Sequence, residues 1–485
     1  MLAALPIAMV IVQASKLDLP QASTSLSSPQ ISSLLFDPHS LSLALLHSDS
    51  SISLYPSLSP LSISCLPAPQ TLVPPPSSSA TFLLLHNPNP NPRVLFVVAS
   101  PLRGGAAVLL RFWILVSQSF ARARLICNQS ELKFEESKSG VVFSVNHGIS
   151  VKLVGSINVL VMYSVSNCKI WVFAARMVGG AEDGVTVKLM KCAVIDCCAP
   201  VFSISASLGF LMLGEENGVR VFPLRPLLKG RAKRPPRGNG LNNEEDRRLN
   251  LPNGIIQTIS ETVVSDSVIH LDYGHGDSGR KITGGEGTVE ISSNGYLDGK
   301  FDKRSDSVKL RSVKLKHDSK EWGTCFVAFK NEKVQNYKSS KLQLQSVKAI
   351  SIRVLSPNKF MILDSAGDLH LLCLSNPILA SEFPCHMEKL TNTMKIQNLA
   401  VLSDVSLRTQ TVWISDGHHT VHSLAIPDTD TCGSEIDRKE TEGKLIQTSV
   451  TQAIFSSEKI EDIIALATNA ILILGQGGLF AYAIS

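Results

Sequence analysis

A short apolar run, a tight polar turn and an alternating run that ends in an aromatic residue or leucine recur seven times along this chain. No other feature limits its fold so strongly. The first copy runs 43–46, turn 47–51, then 52–55; the second runs 94–98, turn 103–105, then 110–113; the third runs 159–162, turn 166–167, then 170–173. The fourth has Phe210-Leu211-Met212-Leu213, the turn Glu215-Glu216-Asn217-Gly218, and Val219-Arg220-Val221-Phe222. Copies around Ala366-Gly367-Asp368, Asp416-Gly417-His418 and Gln476-Gly477-Gly478 complete the set. Period-two alternation on both sides of a Gly-, Asn- or Asp-containing turn is the mark of a β-hairpin. The matched end positions are Tyr55, Trp113, Phe173, Phe222, Leu372, Leu424 and Tyr482, spaced about 50 to 60 residues apart except between Phe222 and Leu372. Each interval leaves room for two more strands, and four-stranded units repeated radially make a β-propeller. The expected fold is all-β: one seven-bladed propeller with a long, mostly disordered insertion. A β-sandwich or two smaller β domains would need fewer such hairpins.

Two stretches, Asn217-Gly218-Val219-Arg220-Val221-Phe222 and Gly367-Asp368-Leu369-His370-Leu371-Leu372, resemble the end of a WD40 blade, where a D-G-T-V-R-L-W-type strand precedes a tryptophan–aspartate pair. The resemblance spans most of the chain and is degenerate at each copy. No copy carries the Trp-Asp dipeptide or a Gly-His pair at the family's usual place, so the packing between blades is expected to be mainly apolar.

The hydrophobic fraction of 44% supplies enough apolar mass for a large core. A net charge of +5 from 46 basic and 41 acidic residues is too even to demand nucleic acid or an anionic membrane as partner. The densest cysteine group, Cys192, Cys197 and Cys198, lacks the paired spacing of a zinc site and reads as reduced thiols packed in strands. The apolar run at 1–12 is too short to span a bilayer and has no basic residue before it. It reads either as a targeting peptide or, by way of 8–12, as the strand that completes the seventh blade, because the chain stops three residues after Tyr482. An open blade edge would invite aggregation, which favours the strand.

Composition places the domain boundaries at 1–227 for the closing strand and blades 1 to 4, 228–320 for a disordered basic and polar insertion, and 321–485 for blades 5 to 7. The insertion has few large apolar residues to offset its ordering entropy, although the strand-like 287–291 leaves an eighth blade open. Its first residues include Lys229, Arg231, Lys233, Arg234 and Arg237, a basic cluster that fits a nuclear-import signal, a weak nucleic-acid contact or a solvated linker. A second cluster, Lys309, Arg311, Lys314, Lys316 and Lys320, alternates with apolar residues like the polar face of a strand re-entering the ring.

Catalytic patterns fail on context. Gly274-His275-Gly276-Asp277-Ser278-Gly279 is followed by no helix to aim backbone N–H groups at a phosphate, and its Gly276-Asp277-Ser278-Gly279 lacks the companions of a serine nucleophile. Gly295-Tyr296-Leu297-Asp298-Gly299-Lys300 lacks a spacer and the hydroxyl residue of a phosphate loop. His418-His419 sits at a turn, where adjacent side chains diverge. The expectation is a non-enzymatic scaffold for other proteins, with no catalytic or metal residues, no cofactor and no membrane span, placed in the nucleus or cytoplasm. A nucleic-acid- or chromatin-associated propeller using the basic cluster is the alternative, and a propeller enzyme a more distant one.

Overall fold

The computed structural model describes residues 12–17, 29–58, 66, 69–86, 92–145, 150–178, 186–207, 209–229, 311–314, 323–329, 346–374, 385–391, 394–402, 409–427 and 449–484. They form seven sheets, each built on a four-strand antiparallel meander. Blade 1 consists of Ile31–Asp37, Ser42–His47, Ile52–Tyr55 and Thr71–Val73. Blade 2 has Ser79–Leu85, Arg93–Leu102 and Ala107–Val116, and its outer layer is shared between Ser119–Arg122 and Gly140–Phe143, the latter backed by Leu132–Glu135. Blade 3 has Val151–Ser156, Val159–Ser164, Lys169–Val178 and Thr186–Asp196. Blade 4 has Ser203–Ser207, Phe210–Glu215, Gly218–Pro223 and Cys325–Ala328. Blade 5 has Ala349–Ser356, Lys359–Asp364, Leu369–Leu374 and Cys385–Lys389, and blade 6 has Asn398–Val401, Thr409–Ser415, Thr420–Pro427 and Ser449–Phe455. Blade 7 has Ile460–Ala467, Ala470–Gly475 and Gly478–Ile484, with Val12–Leu17 as its outermost strand.

A ring requires seven interfaces for seven blades, and all seven are present. Leu54, Phe96 and Trp113 pack between blades 1 and 2; Phe112, Phe143 and Phe173 between 2 and 3; Tyr163, Ile195 and Phe222 between 3 and 4. Met212, Phe360 and Leu372 fill the next, Met361, Leu371 and Leu424 the fifth, and Trp413, Ile473 and Tyr482 the sixth. Leu43, Tyr55 and Leu472 then join blade 7 back to blade 1. The innermost strands follow the same circuit, each touching the next and Ile460–Ala467 touching Ile31–Asp37. Closure therefore rests on buried apolar area, which contributes roughly 25 cal/mol for each Å² removed from water.

Two glycines set close approaches. A Cβ at Gly155 would collide with the Phe82 carbonyl, so its absence lets the innermost strands of blades 2 and 3 touch; there Gly155 N donates to Thr81 Oγ1 at 2.9 Å and Leu153 N to Ser79 Oγ at 2.9 Å. In the fourth hairpin Asn217 alone takes positive φ, +61°. Gly218 begins the next strand, where a Cβ would strike the Val327 carbonyl of the outer strand. The Asn-Gly pair thus divides its work between a left-handed turn residue and a tight strand contact.

Three expectations need correction. The closing strand is Val12–Leu17, paired antiparallel from Val12 opposite Ile484 to Leu17 opposite Leu479; of the expected 8–12 only Val12 belongs to it, and 8–11 lie outside the described residues. An outermost strand has one solvated face and need not be apolar; here only Leu17 is buried. The boundary between blades 4 and 5 also moves. The fourth strand of blade 4, Cys325–Ala328, comes after the insertion, which therefore interrupts that blade instead of separating it from the next. Within the expected 228–320 insertion, Leu228 and Lys229 end a short helix, Leu224–Lys229, whose Leu224, Leu227 and Leu228 pack into the blade 3–4 cluster. Arg311–Lys314 forms a strand parallel to Thr186–Asp196 on the outer edge of blade 3. The segments 230–310 and 315–322, with the glycine motifs and 287–291, lie outside the described residues.

Candidate interaction face

Because each blade is an antiparallel meander, its connections sort onto two faces of the ring. One face carries the turns between second and third strands and the crossings to the next blade. The opposite face carries the turns between first and second strands and the connections from third to fourth. The helix Leu224–Lys229 follows a third strand and so begins on this opposite face.

The first face is closed by polar groups at equivalent places. Four residues beyond the apolar residue that faces the end position on the second strand, and two residues before that end position on the third, the blades place Asp364 with His370, Glu215 with Arg220, Ser100 with Arg111, and His47 with Ser53. In blade 5, His370 Nε2 and Asp364 Oδ2 are 2.8 Å apart and both residues are buried. Asp364 Oδ1 also accepts the backbone N–H groups of Ala366 and Asp368, each at 2.9 Å. The ring of Phe329, from the end of blade 4, stacks on His370 at 4.3 Å. In blade 4 the Arg220 guanidinium donates through Nε to Glu215 Oε1 at 2.7 Å and through Nη2 to Oε2 at 3.1 Å, a buried fork. In blade 2, Arg111 Nη2 donates to Ser100 Oγ at 2.9 Å and to the Pro74 carbonyl at 3.1 Å; burial first, and then Arg122, lowers its pKa. In blade 1, His47 Nε2 and Ser53 Oγ are 2.8 Å apart. The expectation of mainly apolar packing holds between blades, but each of these four hairpins adds a cross-strand polar latch of its own. Sequence reading missed them because the partners differ in type from blade to blade; their constant offset from the end positions was the available signal.

The seven end positions Tyr55, Trp113, Phe173, Phe222, Leu372, Leu424 and Tyr482 are all buried on third strands. Each lies in the cluster its blade shares with the preceding blade. They are packing residues. The Arg122 guanidinium additionally covers the Trp113 ring at 3.9 Å.

The opposite face holds a recess of about 390 Å³ between blades 1 and 2. His39 and Ser40 reach it from a blade 1 turn, Pro56 from the end of that blade's third strand, and Arg93, Leu115 and Gln118 from blade 2. Ser117 and Gln118 both have positive φ, 45° and 67°, giving the tight two-residue turn that forms one wall. In the channel, Arg353 of blade 5 is exposed to solvent, yet the surrounding strands still desolvate it and lower its pKa, with Asp462 of blade 7 opposing the shift. Burial raises the Asp462 pKa, while backbone N–H groups of Leu34 and Ile463 and the charge of Arg353 pull it back.

Of the basic cluster, Lys229 is the last residue of the helix, and Arg231, Lys233, Arg234 and Arg237 lie outside the described residues. Cys192 is buried on a strand, whereas Cys197 and Cys198 follow the strand's end at Asp196; burial pushes the Cys197 thiol up to about 12. Among the described residues no group of three His, Cys, Asp or Glu side chains is arranged to hold a metal. No helix among them is long and apolar enough to cross a membrane. His418 N donates to Asp416 Oδ1 at 2.8 Å, and His419 Nδ1 lies 3.2 Å from the Ser456 carbonyl, so the pair serves its turn.

No family model matches the chain, and no curated protein matches it. Among solved structures it is similar to the β-propeller domain of Cps50 (Swd1) from Myceliophteria thermophila, at 7% identity and a TM-score of 0.45 over 96% of this chain and 99% of that one. It is similar also to U3-55K, at 8% identity and 0.41 over 97% and 98%, and to the WD40 repeats of RRP9, at 8% and 0.41 over 97% of each. The architecture is established by the sheet order itself: seven four-stranded blades, the last completed by Val12–Leu17, make a seven-bladed β-propeller.

Proposed function

We propose that this ring is a non-enzymatic platform on which other proteins assemble, in the nucleus or cytoplasm. The observation that carries the reading is the division of labour in the fold. Blade interiors are filled by apolar clusters, and one face is latched by polar pairs, so the opposite face, with the recess between blades 1 and 2, is the one that offers partners a site. The recess fits an extended segment of a partner protein that places an acidic side chain against Arg93 and an apolar one beside Leu115.

The test is affinity purification of the tagged full-length protein beside an Arg93→Glu, Leu115→Asp variant. Loss of a defined subset of co-purifying proteins, with the unfolding midpoint unchanged, is the expected result. An unchanged set of partners removes the recess from the reading. The basic residues Lys229 to Arg237 offer the alternative, a nucleic-acid contact. If nucleic acid is the ligand, affinity falls steeply with salt and disappears when 229–237 are deleted.

A further inference from the structure

Cys325 and Cys385 are the first residues of the outer strands of blades 4 and 5, Cys325–Ala328 and Cys385–Lys389. Their Sγ atoms are 2.8 Å apart, both are half-buried, and 60 residues of chain separate them. Both thiols pack at the rim of the cluster that joins the two blades through Met212, Phe360 and Leu372. From this juxtaposition we propose that Cys325 and Cys385 form a reversible, peroxide-reactive dithiol site whose disulfide clamps the outer edge of blade 4 to blade 5. The inference is independent of what the ring binds.

The roles of the two sulfurs differ. The hydrogen bond from Cys385 first, and the Arg220 guanidinium after it, lower the Cys325 pKa against the opposing effect of burial. The same hydrogen bond and burial raise that of Cys385. In this site Cys325, with the Arg220 guanidinium favouring its ionised form, attacks, and Cys385 is the resolving thiol. The Cys325 sulfur attacks one oxygen of hydrogen peroxide, the O–O bond breaks, and the departing hydroxide takes up a proton to leave as water, with Cys325 as a sulfenic acid. The Cys385 sulfur then attacks the Cys325 sulfur, the S–O bond breaks, and the hydroxyl leaves with the Cys385 proton as a second water. Two thiols lose two electrons, and one peroxide is reduced to two waters. A dithiol such as dithiothreitol reverses the bond by exchange.

The clamp has a structural consequence because Cys325–Ala328 is a four-residue strand reached only after the long excursion from blade 4. Its register is set by pairing with Gly218, Val219, Arg220 and Val221 and by the Phe329 N–H, which donates to the Asn217 carbonyl at 2.8 Å. A covalent tie to blade 5 restricts the excursions of that strand in the unfolded and partly opened chain.

The experiment treats reduced full-length protein with hydrogen peroxide, blocks remaining thiols with N-ethylmaleimide under denaturing conditions, and maps the peptides by mass spectrometry. Trypsin alone leaves Cys373 and Cys385 in one peptide, and a glutamate-specific protease separates them at Glu382. The expected product is a Cys325–Cys385 linked pair that dithiothreitol abolishes. In Cys385→Ser protein, Cys325 should instead be trapped by dimedone as the sulfenic acid. Oxidised wild-type protein should unfold a few degrees above reduced protein, a difference lost in Cys325→Ser and Cys385→Ser. Full alkylation of both residues at peroxide levels that oxidise the exposed Cys198, or a link from Cys325 to Cys373, overturns the site; equal midpoints for oxidised and reduced protein overturn the clamp.

Discussion

On the face that carries the turns between second and third strands, those turns are two to four residues long, as at 48–51, 216–217, 365–368 and 476–477, and polar pairs, three of them buried, stand directly beneath four of them. Third and fourth strands are separated by longer stretches of sequence, 56–70, 179–185, 375–384 and 428–448, and in blade 4 by all the residues between Lys229 and Cys325. The same backbone plan therefore gives two surfaces under different constraints. A short turn between packed strands fixes register, so its residues answer to φ and to hydrogen-bond geometry. A connection that leaves the sheet costs little more when it lengthens, because loop-closure entropy grows only with the logarithm of length. Lengthening a connection between third and fourth strands is therefore the cheaper change, and the proposed partner recess lies on that second surface.

The strongest way to break this comparison is to attack what both faces share, ring closure. Deleting residues 1–17 removes the strand paired with Gly478–Ile484 and the buried Leu17, and leaves an unpaired edge on blade 7. The expected outcome is insoluble protein, or an unfolding midpoint lower by more than about 10 °C. A soluble protein of unchanged midpoint would show that blade 7 stands without its outer strand.

The next largest effect belongs to the latched face. Glu215→Ala leaves the Arg220 guanidinium buried without its fork and should cost about 3–5 kcal/mol in urea unfolding. Replacing both residues by apolar ones, Glu215→Leu with Arg220→Met, should recover most of that loss, because the penalty lies in burying the guanidinium without the Glu215 carboxylate. If the single variant is as stable as wild type, the latches do not distinguish this face from the other.

The seven hairpins were readable because each joins two features that survive in a single sequence: period-two apolarity, and turn residues such as Asn217 that tolerate positive φ. First and fourth strands were harder. Cys325–Ala328 has four residues and follows a long polar stretch, so nothing local ties it to blade 4; only its ladder to Gly218–Val221 does. The closing strand was sought in the apolar 8–12 and found in Val12–Leu17, since an outer strand with a solvated face needs backbone pairing more than apolarity. The recess was invisible for a related reason. His39 and Gln118 come from turns of different blades and Arg93 from the start of a strand, and only the packing of blade 1 on blade 2 brings them together.

Smaller still is the effect expected from the opposite face. Excising 231–309 and joining the ends with a short Gly/Ser linker spares the helix Leu224–Lys229 and the strand Arg311–Lys314. By loop-closure entropy alone the stability should change by less than about 2 kcal/mol, in the stabilising direction. Adding an equal number of linker residues to the turn at 476–477 should destabilise by more, since Gly475 and Gly478 pair directly across it. Comparable losses from the two changes would mean that the excised segment packs on the ring.

The smallest effect is a pH dependence placed in one latch. Burial holds the His47 imidazole below its ordinary 6.5, with the Asp49 carboxylate opposing, while its Nε2 bonds to Ser53 Oγ. A histidine whose folded pKa lies below its unfolded value binds its proton more readily when unfolded. Its contribution to stability is therefore complete above pH 6.5 and is lost as pH falls from there through the folded value. His47 is only half-buried, so solvent screening limits the effect to under about 1 kcal/mol. Urea midpoints of wild-type and His47→Gln protein, compared between pH 7.5 and pH 5, isolate it from the other titrating groups. Glutamine keeps a polar partner for Ser53 but does not titrate, so the variant should lose less stability than wild type across this interval. Parallel losses in the two proteins would show that the latch in blade 1 works equally well with a charged imidazole, and that the polar face of the ring is insensitive to the protonation of its own latches.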